Sequence, residues 1–365
     1  MGVVRTDESR RSEIEEFRRM LLSCSAAVLK VTTEDDSNHR RVTAANRNEH
    51  AVDQKLVCVT SGVSFLGIAI VKQLLIRGYA VRIIVDNQED IVRLREIENT
   101  GEIEGSTRAT TNNNLIGVVV AKFDDRRSLI EAFDGCCAVF HTTAFIDPSG
   151  LSGYSKSMAE IEARAAENVA EACAATPSVR NYVLTSSLLA CIWRDGSNGS
   201  LPTVVDHNSW SDESFCSSKK LWYALGKLKA EQVSWRIAKE KGLKLTTICS
   251  GLITGPRYFC TNPSSTIAYL KGGKDMYAHG LLATVDVNKL ADAHVKVYEE
   301  MHKTGGGRYV CFDNVIGSPD EVQRLEQETG VHINTSSHDA TFRFELSNRK
   351  LDRLMSQTHR CMNVC

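Results

Sequence analysis

The sequence has almost no net charge and no long apolar run. Its 365 residues carry 44 Lys and Arg against 45 Asp and Glu, which leaves a formal net charge of -1. A surface with this balance has no general field for nucleic acid or for an anionic membrane, so neither is an expected partner. Runs of about 18 apolar residues, the length that a membrane-spanning helix needs, do not occur.

The N-terminal segment also lacks the uninterrupted apolar core of a secretory signal. Charged side chains interrupt it throughout, among them Arg10, Glu13 and Arg18. Without a signal of this kind and without a membrane span, we expect a soluble protein of the cytoplasm.

The cysteines lack the spacing of a zinc site. The sequence has 12 Cys, but no Cys-x-x-Cys pair that repeats at metal-ligand spacing, so no metal is expected. Six of them lie within or beside apolar runs, as small core residues do: Cys58, Cys136, Cys137, Cys191, Cys249 and Cys311. We therefore predict reduced thiols.

Four segments are predicted along the chain. Residues 1–54 form an extension, in which apolar residues from Ile14 to Val28 follow the spacing of one amphipathic helix before a polar linker. Residues 55–250 form an α/β domain, 251–334 mainly a smaller lobe, and 335–365 a C-terminal segment. The N-terminal helix is a possible docking element for a protein partner.

Short β-rich runs alternate with amphipathic helices in the body of the chain. The runs lie near 55–60, 81–85, 116–121, 138–141, 182–186, 244–248 and 308–312. Helices are also expected near 286–303 and 319–329, both in the smaller lobe. This alternation predicts the α/β class, with a doubly wound parallel sheet and a smaller C-terminal lobe for the substrate.

The turn after the first strand is a candidate phosphate loop. The segment VTSGVSFLG leads from the strand into an amphipathic helix, where backbone N–H groups can hold a pyrophosphate. In a T-G-x-x-G-x-x-G loop, Ser61 and Ser64 would both be glycine; Gly67 keeps its register and Gly62 is one residue late. The predicted cofactor-binding residues here are Thr60, Ser61, Gly62, Ser64, Phe65, Leu66 and Gly67. The alternative is an ordinary strand–turn–helix connection.

In a dinucleotide-binding fold of the Rossmann type, a residue at the end of the second strand binds the ribose. This chain has Asp86 at that position. A carboxylate there accepts from the ribose hydroxyls and repels a 2′-phosphate, which favours NAD over NADP. Arg82 would offset this charge, but it lies within the strand, and a solvated strand residue is the better interpretation.

A tyrosine and a lysine follow the predicted fifth strand at helical spacing. Tyr223 and Lys227 are four residues apart, so both fall on one helix face, where the ammonium would lower the phenol pKa and hold the nicotinamide ribose. The strand ends in Ser186 and Ser187, and a serine hydroxyl at that edge can bind a substrate carbonyl. A surface tyrosine with a charged neighbour is the alternative interpretation.

With these motifs, and with VFHTTAF, VVDHNSWSDESFC and ICSGLITGP, the chain resembles the extended short-chain dehydrogenase/reductases, specifically the plant dihydroflavonol reductase and cinnamoyl-CoA reductase group. The similarity covers about 55–350 and is greatest to the cinnamoyl-CoA reductase-like branch with an N-terminal extension.

The resemblance implies functional residues. It makes Ser187, Tyr223 and Lys227 the catalytic residues, with Ser186 as the substitute for Ser187. It also places Thr142, beside His141, at the nicotinamide-facing edge, although a buried structural histidine is an equal alternative for His141. The segment from Trp210 to Asp212 resembles the family's lid over the active site, with a plain surface loop as the alternative.

The chain also departs from the family. Where cinnamoyl-CoA reductases have Asn, Cys and Tyr on the substrate side, it has Leu221, Ala224 and Leu225. Members commonly have Arg where Asp86 stands, so the resemblance suggests NADP while Asp86 suggests NAD.

We therefore predict an NAD(P)H-dependent reductase of a carbonyl, an aldehyde, ketone or acyl-CoA thioester, in phenylpropanoid or flavonoid-like metabolism. The alternative is a nucleotide-binding, catalytically weak interaction or regulatory protein, which the loss of two loop glycines favours.

Overall fold

The computed structural model describes most of the α/β body. The described residues are 55–62, 64–85, 115–142, 154–194, 203–255, 263–333, 335 and 343–361. The predicted N-terminal helix and linker, Asp86 and Thr143 lie outside them. Among the described residues, no helix has the length and apolar character needed to cross a membrane.

The described residues form twelve strands. In chain order they are β1 Leu56–Thr60, β2 Ala80–Val85, β3 Leu115–Val120, β4 Ala138–His141, β5 Asn181–Ser187, β6 Val204–Val205, β7 Lys244–Ser250, β8 Leu252–Thr254, β9 Ala283–Asp286, β10 Gly307–Cys311, β11 Asn314–Val315 and β12 Glu345–Leu346.

The same residues form eleven helices. They are α1 Phe65–Ile76, α2 Arg126–Phe133, α3 Lys156–Ala175, α4 Leu189–Ile192, α5 Glu213–Ser218, α6 Trp222–Lys241, α7 Pro263–Leu270, α8 Gly273–Ala278, α9 Val287–Thr304, α10 Pro319–Thr329 and α11 Arg349–Cys361.

Seven strands build one parallel sheet in the order β10-β7-β5-β4-β1-β2-β3. These are the seven strands expected from the sequence, so the predicted doubly wound α/β fold is confirmed. The strand order reverses between β1 and β4, and in such sheets ligands bind at this switch point, outside the carboxyl ends of the strands.

Helices cover both faces of the sheet, which is why its strands are continuously apolar. On one face α1 and α9 pack over β1, β2 and β4. On the other face α2, α3 and α6 form a second core around Phe133 and Tyr182. The helix at 287–304 was expected in the smaller lobe; it belongs instead to this flanking layer, because its apolar stripe faces α1 and the main sheet.

A second layer lies on the carboxyl side of the sheet. Its three-stranded sheet has the order β11-β9-β8, and its apolar core includes side chains of α4, α7, α8 and α10. The sequence did not reveal β6, β8, β9, β11 and β12, because runs of two to four residues are too short to show a period. The domain limits stay a prediction.

Eight cysteines of the described residues are free thiols, and seven of these eight are buried. Five of the six that the sequence placed in the core are buried; Cys137 is only half-buried. Their burial agrees with the prediction that they act as small core residues.

Candidate active site

The phosphate loop joins β1 to α1 at the switch point. Ser64 is the N-cap of α1, and its Oγ accepts a hydrogen bond from the Gly67 amide at 3.1 Å. The same first turn carries the amides of Phe65 and Leu66, the groups that a helix N-terminus presents to an anion. The loop thus has the arrangement expected of a pyrophosphate site.

Packing explains why both glycines of the loop are required. A Cβ on Gly62 would lie 2.5 Å from Cγ2 of Ile83 on β2. A Cβ on Gly67 would collide with the carbonyl oxygen of Ser61. Of the described loop residues, Ser61 has the positive φ, while Gly62 makes room for Ile83 on β2.

The two serines that replace loop glycines differ in strain. Ser61 has φ 49°, in the left-handed region where a Cβ costs about 1–2 kcal/mol. Ser64 has φ -73° and ψ 161°, an ordinary N-cap conformation. Of the two serines, only Ser61 therefore carries the steric cost of a Cβ in place of glycine.

Three side chains tie β1 to β4 at the switch point. Thr60 Oγ1 lies 2.9 Å from His141 Nδ1 and accepts from the Thr142 amide, while Thr142 Oγ1 donates to the Thr60 carbonyl at 2.7 Å. Burial and the positive charge of Lys227 lower the pKa of His141 to about 3, so the ring is neutral. These contacts favour the structural interpretation of His141.

Arg82 points away from the ribose side of β2. Its guanidinium donates to the carbonyls of Ala132 and Asp134, both at 2.7 Å, at the end of α2. It is a half-buried, hydrogen-bonded strand residue rather than a solvated one, and it does not offset Asp86 through these contacts.

The two serines at the end of β5 have different partners. Ser186 Oγ donates to Glu231 at 2.8 Å, inside the protein. Ser187 Oγ accepts from the Leu189 amide at 3.2 Å, so its own hydrogen can be directed to a further acceptor. The structure therefore favours Ser187 over Ser186 as the ligand of a substrate oxygen.

Tyr223 and Lys227 lie in the first two turns of α6, on one face. The Lys227 ammonium is 5.6 Å from the centroid of the Tyr223 ring. The same ring packs against the cluster that contains Leu188 and Leu189, the residues after Ser187. The ring of Tyr223 and the segment that follows Ser187 thus pack in one apolar cluster.

A buried carboxylate from α3 reaches this pair. Glu162 Oε1 lies 2.5 Å from Lys227 Nζ, and its other oxygen accepts from Tyr154 Oη. Burial, and then the negative charge of Glu162, raise the pKa of Tyr223. The expectation that Lys227 lowers this pKa is therefore wrong for the site as it stands, because Lys227 is ion-paired to Glu162.

Neither Glu162 nor Tyr154 was selected from the sequence, although α3 carries a signal. Its buried face follows helical spacing through Met158, Glu162, Ala165 and Val169. A charged residue on an apolar stripe requires a buried partner. The partner itself could not be inferred, because it lies on another helix.

The substrate side of the site is apolar. The three departures from the family, Leu221, Ala224 and Leu225, are all buried in the core of the second layer. Near them the rings of Trp193 and Phe215 stack at 6.4 Å. These three positions are thus enclosed by hydrocarbon and aromatic side chains.

The segment resembling a lid is fixed to the body of the protein. Ser211 Oγ donates to the Leu189 carbonyl and accepts from the Trp193 amide. Asp212 is the N-cap of α5, and Trp210 stacks on the guanidinium of Arg308 at 3.7 Å. This segment acts as a fixed wall in the structure.

The profile of the NAD dependent epimerase/dehydratase family matches residues 57–310, more than half of the chain. The chain belongs to this family. The predicted membership of the extended short-chain type, and with it an NAD(P)-dependent reductase, is confirmed.

Sequence similarity to named reductases also supports membership of the cinnamoyl-CoA reductase group. The chain is 36% identical to cinnamoyl-CoA reductase 1 of Petunia hybrida over 282 residues, which cover 76% of this chain and 78% of the relative. It is 31% identical to tetraketide alpha-pyrone reductase 1 of Arabidopsis thaliana, over 74% of this chain and 79% of the relative.

Solved structures share the fold. Vestitone reductase from alfalfa matches with a TM-score of 0.56 and 25% identity, over 82% of this chain and 91% of that one. Yeast methylglyoxal/isovaleraldehyde reductase Gre2, complexed with NADPH, matches with a TM-score of 0.60 at 16% identity, which supports the fold alone.

The residues of the loop fit a nicotinamide dinucleotide. Gly62 and Gly67 keep the loop close to β2 and to the helix N-terminus, where side chains would collide. The Ser64 hydroxyl accepts from Gly67 and can direct its hydrogen to a phosphate oxygen. Ser61 is the strained point of an otherwise suitable cradle.

Proposed function

We propose that this chain is an NAD(P)H-dependent reductase of a carbonyl on a phenylpropanoid- or flavonoid-like substrate, an aldehyde, ketone or acyl-CoA thioester. The observation that carries the proposal is the position of Tyr223 and Lys227 on one face of α6, with the Tyr223 ring against the apolar cluster that contains Leu188, the residue after Ser187. The apolar and aromatic surface around Leu221 and Trp193 suits the ring of such a substrate.

Each residue has a role in the proposed reaction. Bound NAD(P)H supplies the hydride that reaches the carbonyl carbon. Ser187 Oγ donates a hydrogen bond to the carbonyl oxygen, and Tyr223 Oη donates the proton that turns this oxygen into a hydroxyl. With a thioester, the C–S bond of the resulting hemithioacetal then breaks, which releases the CoA thiol and leaves an aldehyde. Lys227 would hold the nicotinamide ribose, while Thr60, Thr142 and the loop from Ser61 to Gly67 would hold the rest of the cofactor.

Replacing the proton donor tests the proposal. We expect Tyr223→Phe to lower turnover by about 10²-fold or more and to leave cofactor affinity nearly unchanged, as removal of a general acid does. The assay would follow nicotinamide absorbance with cinnamoyl-CoA, an aromatic aldehyde and a dihydroflavonol, and cofactor affinity by nicotinamide fluorescence. Tyr309→Phe, on β10, is the control; normal turnover by Tyr223→Phe would refute the assignment.

Two observations favour the second candidate, a nucleotide-binding protein with weak catalysis. Lys227 is engaged by Glu162, and Ser61 strains the phosphate loop. Fluorescence titration followed by the same substrate panel separates the two functions. Cofactor binding with no turnover on any substrate would establish the second.

Cytoplasmic location and a protein partner for the N-terminal helix are further proposals that rest on the sequence. Cell fractionation tests the first. Affinity capture with the full chain and with a variant lacking residues 1–54 tests the second.

A further inference from the structure

A buried ion pair links α3 to the proposed active site. Glu162 and Lys227 side chains are 4% and 5% exposed, and their charged atoms are 2.5 Å apart. Ion pairs exposed to solvent contribute little to stability. A pair enclosed to this degree keeps its geometry, and water screens its charges much less. The ammonium of Lys227 therefore does not stand beside the phenol as an uncompensated charge.

The second partner of Glu162 also contacts the proposed proton donor. Tyr154 donates to the carboxylate, and its ring meets that of Tyr223 edge-on, with centroids 5.0 Å apart and planes at 75°. Both Lys227 and Tyr154 thus converge on one carboxylate while touching the ring of Tyr223.

Gly226 makes this convergence possible. It lies between Tyr223 and Lys227 on α6, and a Cβ there would be 2.9 Å from Tyr154 Oη and 3.1 Å from the Cα of Ala159 on α3. The missing side chain lets α3 approach α6 closely enough for Glu162 to reach the lysine.

We propose that Glu162 is a positioning residue for the Tyr223–Lys227 pair: its carboxylate holds the ammonium and places a negative charge beside the phenol, so that the site favours the protonated phenol that reduction requires. The inference rests on the proposed function, and it assigns to that function a residue from outside the three-residue motif.

The described surroundings of the pair agree with this role. From α3 and the segment before it come Glu162 and Tyr154, from β4 the neutral His141, and from α7 the buried Tyr269. Glu162 is the single anionic side chain in this described set. The burial of Tyr223, and then the charge of Glu162, raise the pKa of Tyr223. The phenol of Tyr223 therefore stays protonated in alkaline solution.

The pH profile of reduction tests the role. For the parent we expect kcat/KM to stay level up to about pH 10, and for Glu162→Gln we expect it to decline from a pH lower by about one unit or more, since the freed ammonium then stabilises phenolate. Glu160→Gln, an exposed position on the same helix, is the matched control and should follow the parent. Superimposable profiles for Glu162→Gln and the parent would overturn the inference.

A second readout does not need turnover. Acetic anhydride labels unprotonated amines, and peptide mass spectrometry reports the labelling rate of Lys227. We expect labelling of Lys227 in Glu162→Gln to be faster than in the parent, because the carboxylate no longer holds the amine in an enclosed ion pair. Equal rates would overturn the inference. If no panel substrate is reduced, the proposed function fails while this measurement still decides the role of Glu162.

Tyr154→Phe keeps the ion pair, and we expect it to change the labelling rate of Lys227 in the opposite direction. The substitution removes the hydrogen bond that Tyr154 donates to the Glu162 carboxylate. The carboxylate then holds Lys227 more tightly, so labelling of Lys227 should be slower than in the parent. If Glu162→Gln does not fold, as judged by circular dichroism, this variant decides alone. Labelling at the parent's rate or faster in Tyr154→Phe would then overturn the inference.

Discussion

The guanidinium of Arg308 on β10 donates two hydrogen bonds to the carboxylate of Glu231 on α6. Nε donates to Oε1 at 2.8 Å and Nη2 to Oε2 at 3.1 Å, and Glu231 has no solvent-exposed surface. Arg308 also donates to the carbonyls of Ser209 and Ala190. One buried cation therefore joins β10 to α6, to α4 and to the segment around Ser209.

Removing this cation should destabilise the fold strongly. Arg308→Met leaves Glu231 buried without its partner, which we expect to cost about 3–5 kcal/mol in the free energy of unfolding, measured with urea. Arg236→Met is the control, because the Arg236–Glu167 pair is 54% and 41% exposed and should contribute less than about 1 kcal/mol. Similar losses in both variants would contradict this prediction.

The two serines at the end of β5 should separate catalysis from stability. Ser187→Ala removes the proposed donor to the substrate oxygen, and we expect kcat to fall by about 10²-fold with the unfolding energy little changed. Ser186→Ala removes a hydrogen bond to buried Glu231 and should cost about 1.5–3 kcal/mol of stability. If Ser186→Ala lowered kcat and Ser187→Ala lowered stability, Ser186 would be the ligand of the substrate oxygen and Ser187 the structural residue.

Relieving the left-handed conformation of Ser61 should strengthen the phosphate loop. We expect Ser61→Gly to raise the free energy of unfolding by on the order of 1 kcal/mol and to tighten cofactor binding by up to about tenfold. Ser64→Ala, which removes the N-cap of α1, should lower stability by about 1 kcal/mol. Weaker binding of NAD(H) and NADP(H) by Ser61→Gly would identify the serine as an adapted ligand.

Two buried histidines should make the fold sensitive to acid. The pKa of His141 is lowered to about 3 and that of His294 to about 4, chiefly by burial. The unfolded chain, with histidine pKa values near 6.5, takes up protons first as pH falls, so stability is lost from about pH 6.5 downward until the folded-state values are reached. By pH 5 the loss is about 2 kcal/mol for each histidine.

The slope of this curve is the measurement. Urea unfolding between about pH 7 and pH 5 should show a smaller loss in His141→Gln than in the parent. His302→Gln, which removes an exposed imidazole, is the control. An unchanged slope in His141→Gln would show that His141 does not contribute.

Cofactor choice should respond to Asp86. A carboxylate at the ribose repels a 2′-phosphate, so we expect Asp86→Arg to shift the ratio of NADPH to NADH affinity toward NADPH. Fluorescence titration with both cofactors provides the ratio. Equal ratios before and after the substitution would show that Asp86 does not face the ribose.

The sequence by itself determined the parallel sheet and the parts of the site that are local in the chain. Continuous apolar strands such as Val57–Val59 require cover on both faces, and the alternation with helices supplies it. The turn before Gly67 and the spacing of Tyr223 and Lys227 depend on neighbouring residues, so the pattern of the chain was enough to find them.

Only the tertiary structure decided the charges around these residues. Glu162 meets Lys227, and Glu231 meets Arg308, across 65 and 77 positions of sequence, and such pairs depend on how helices and strands pack. The positive φ of Ser61 and the close approach of Gly62 to Ile83 are likewise visible only in the folded chain. Local patterns identify the groups that carry chemistry, whereas packing between distant elements sets the electrostatic field in which those groups work.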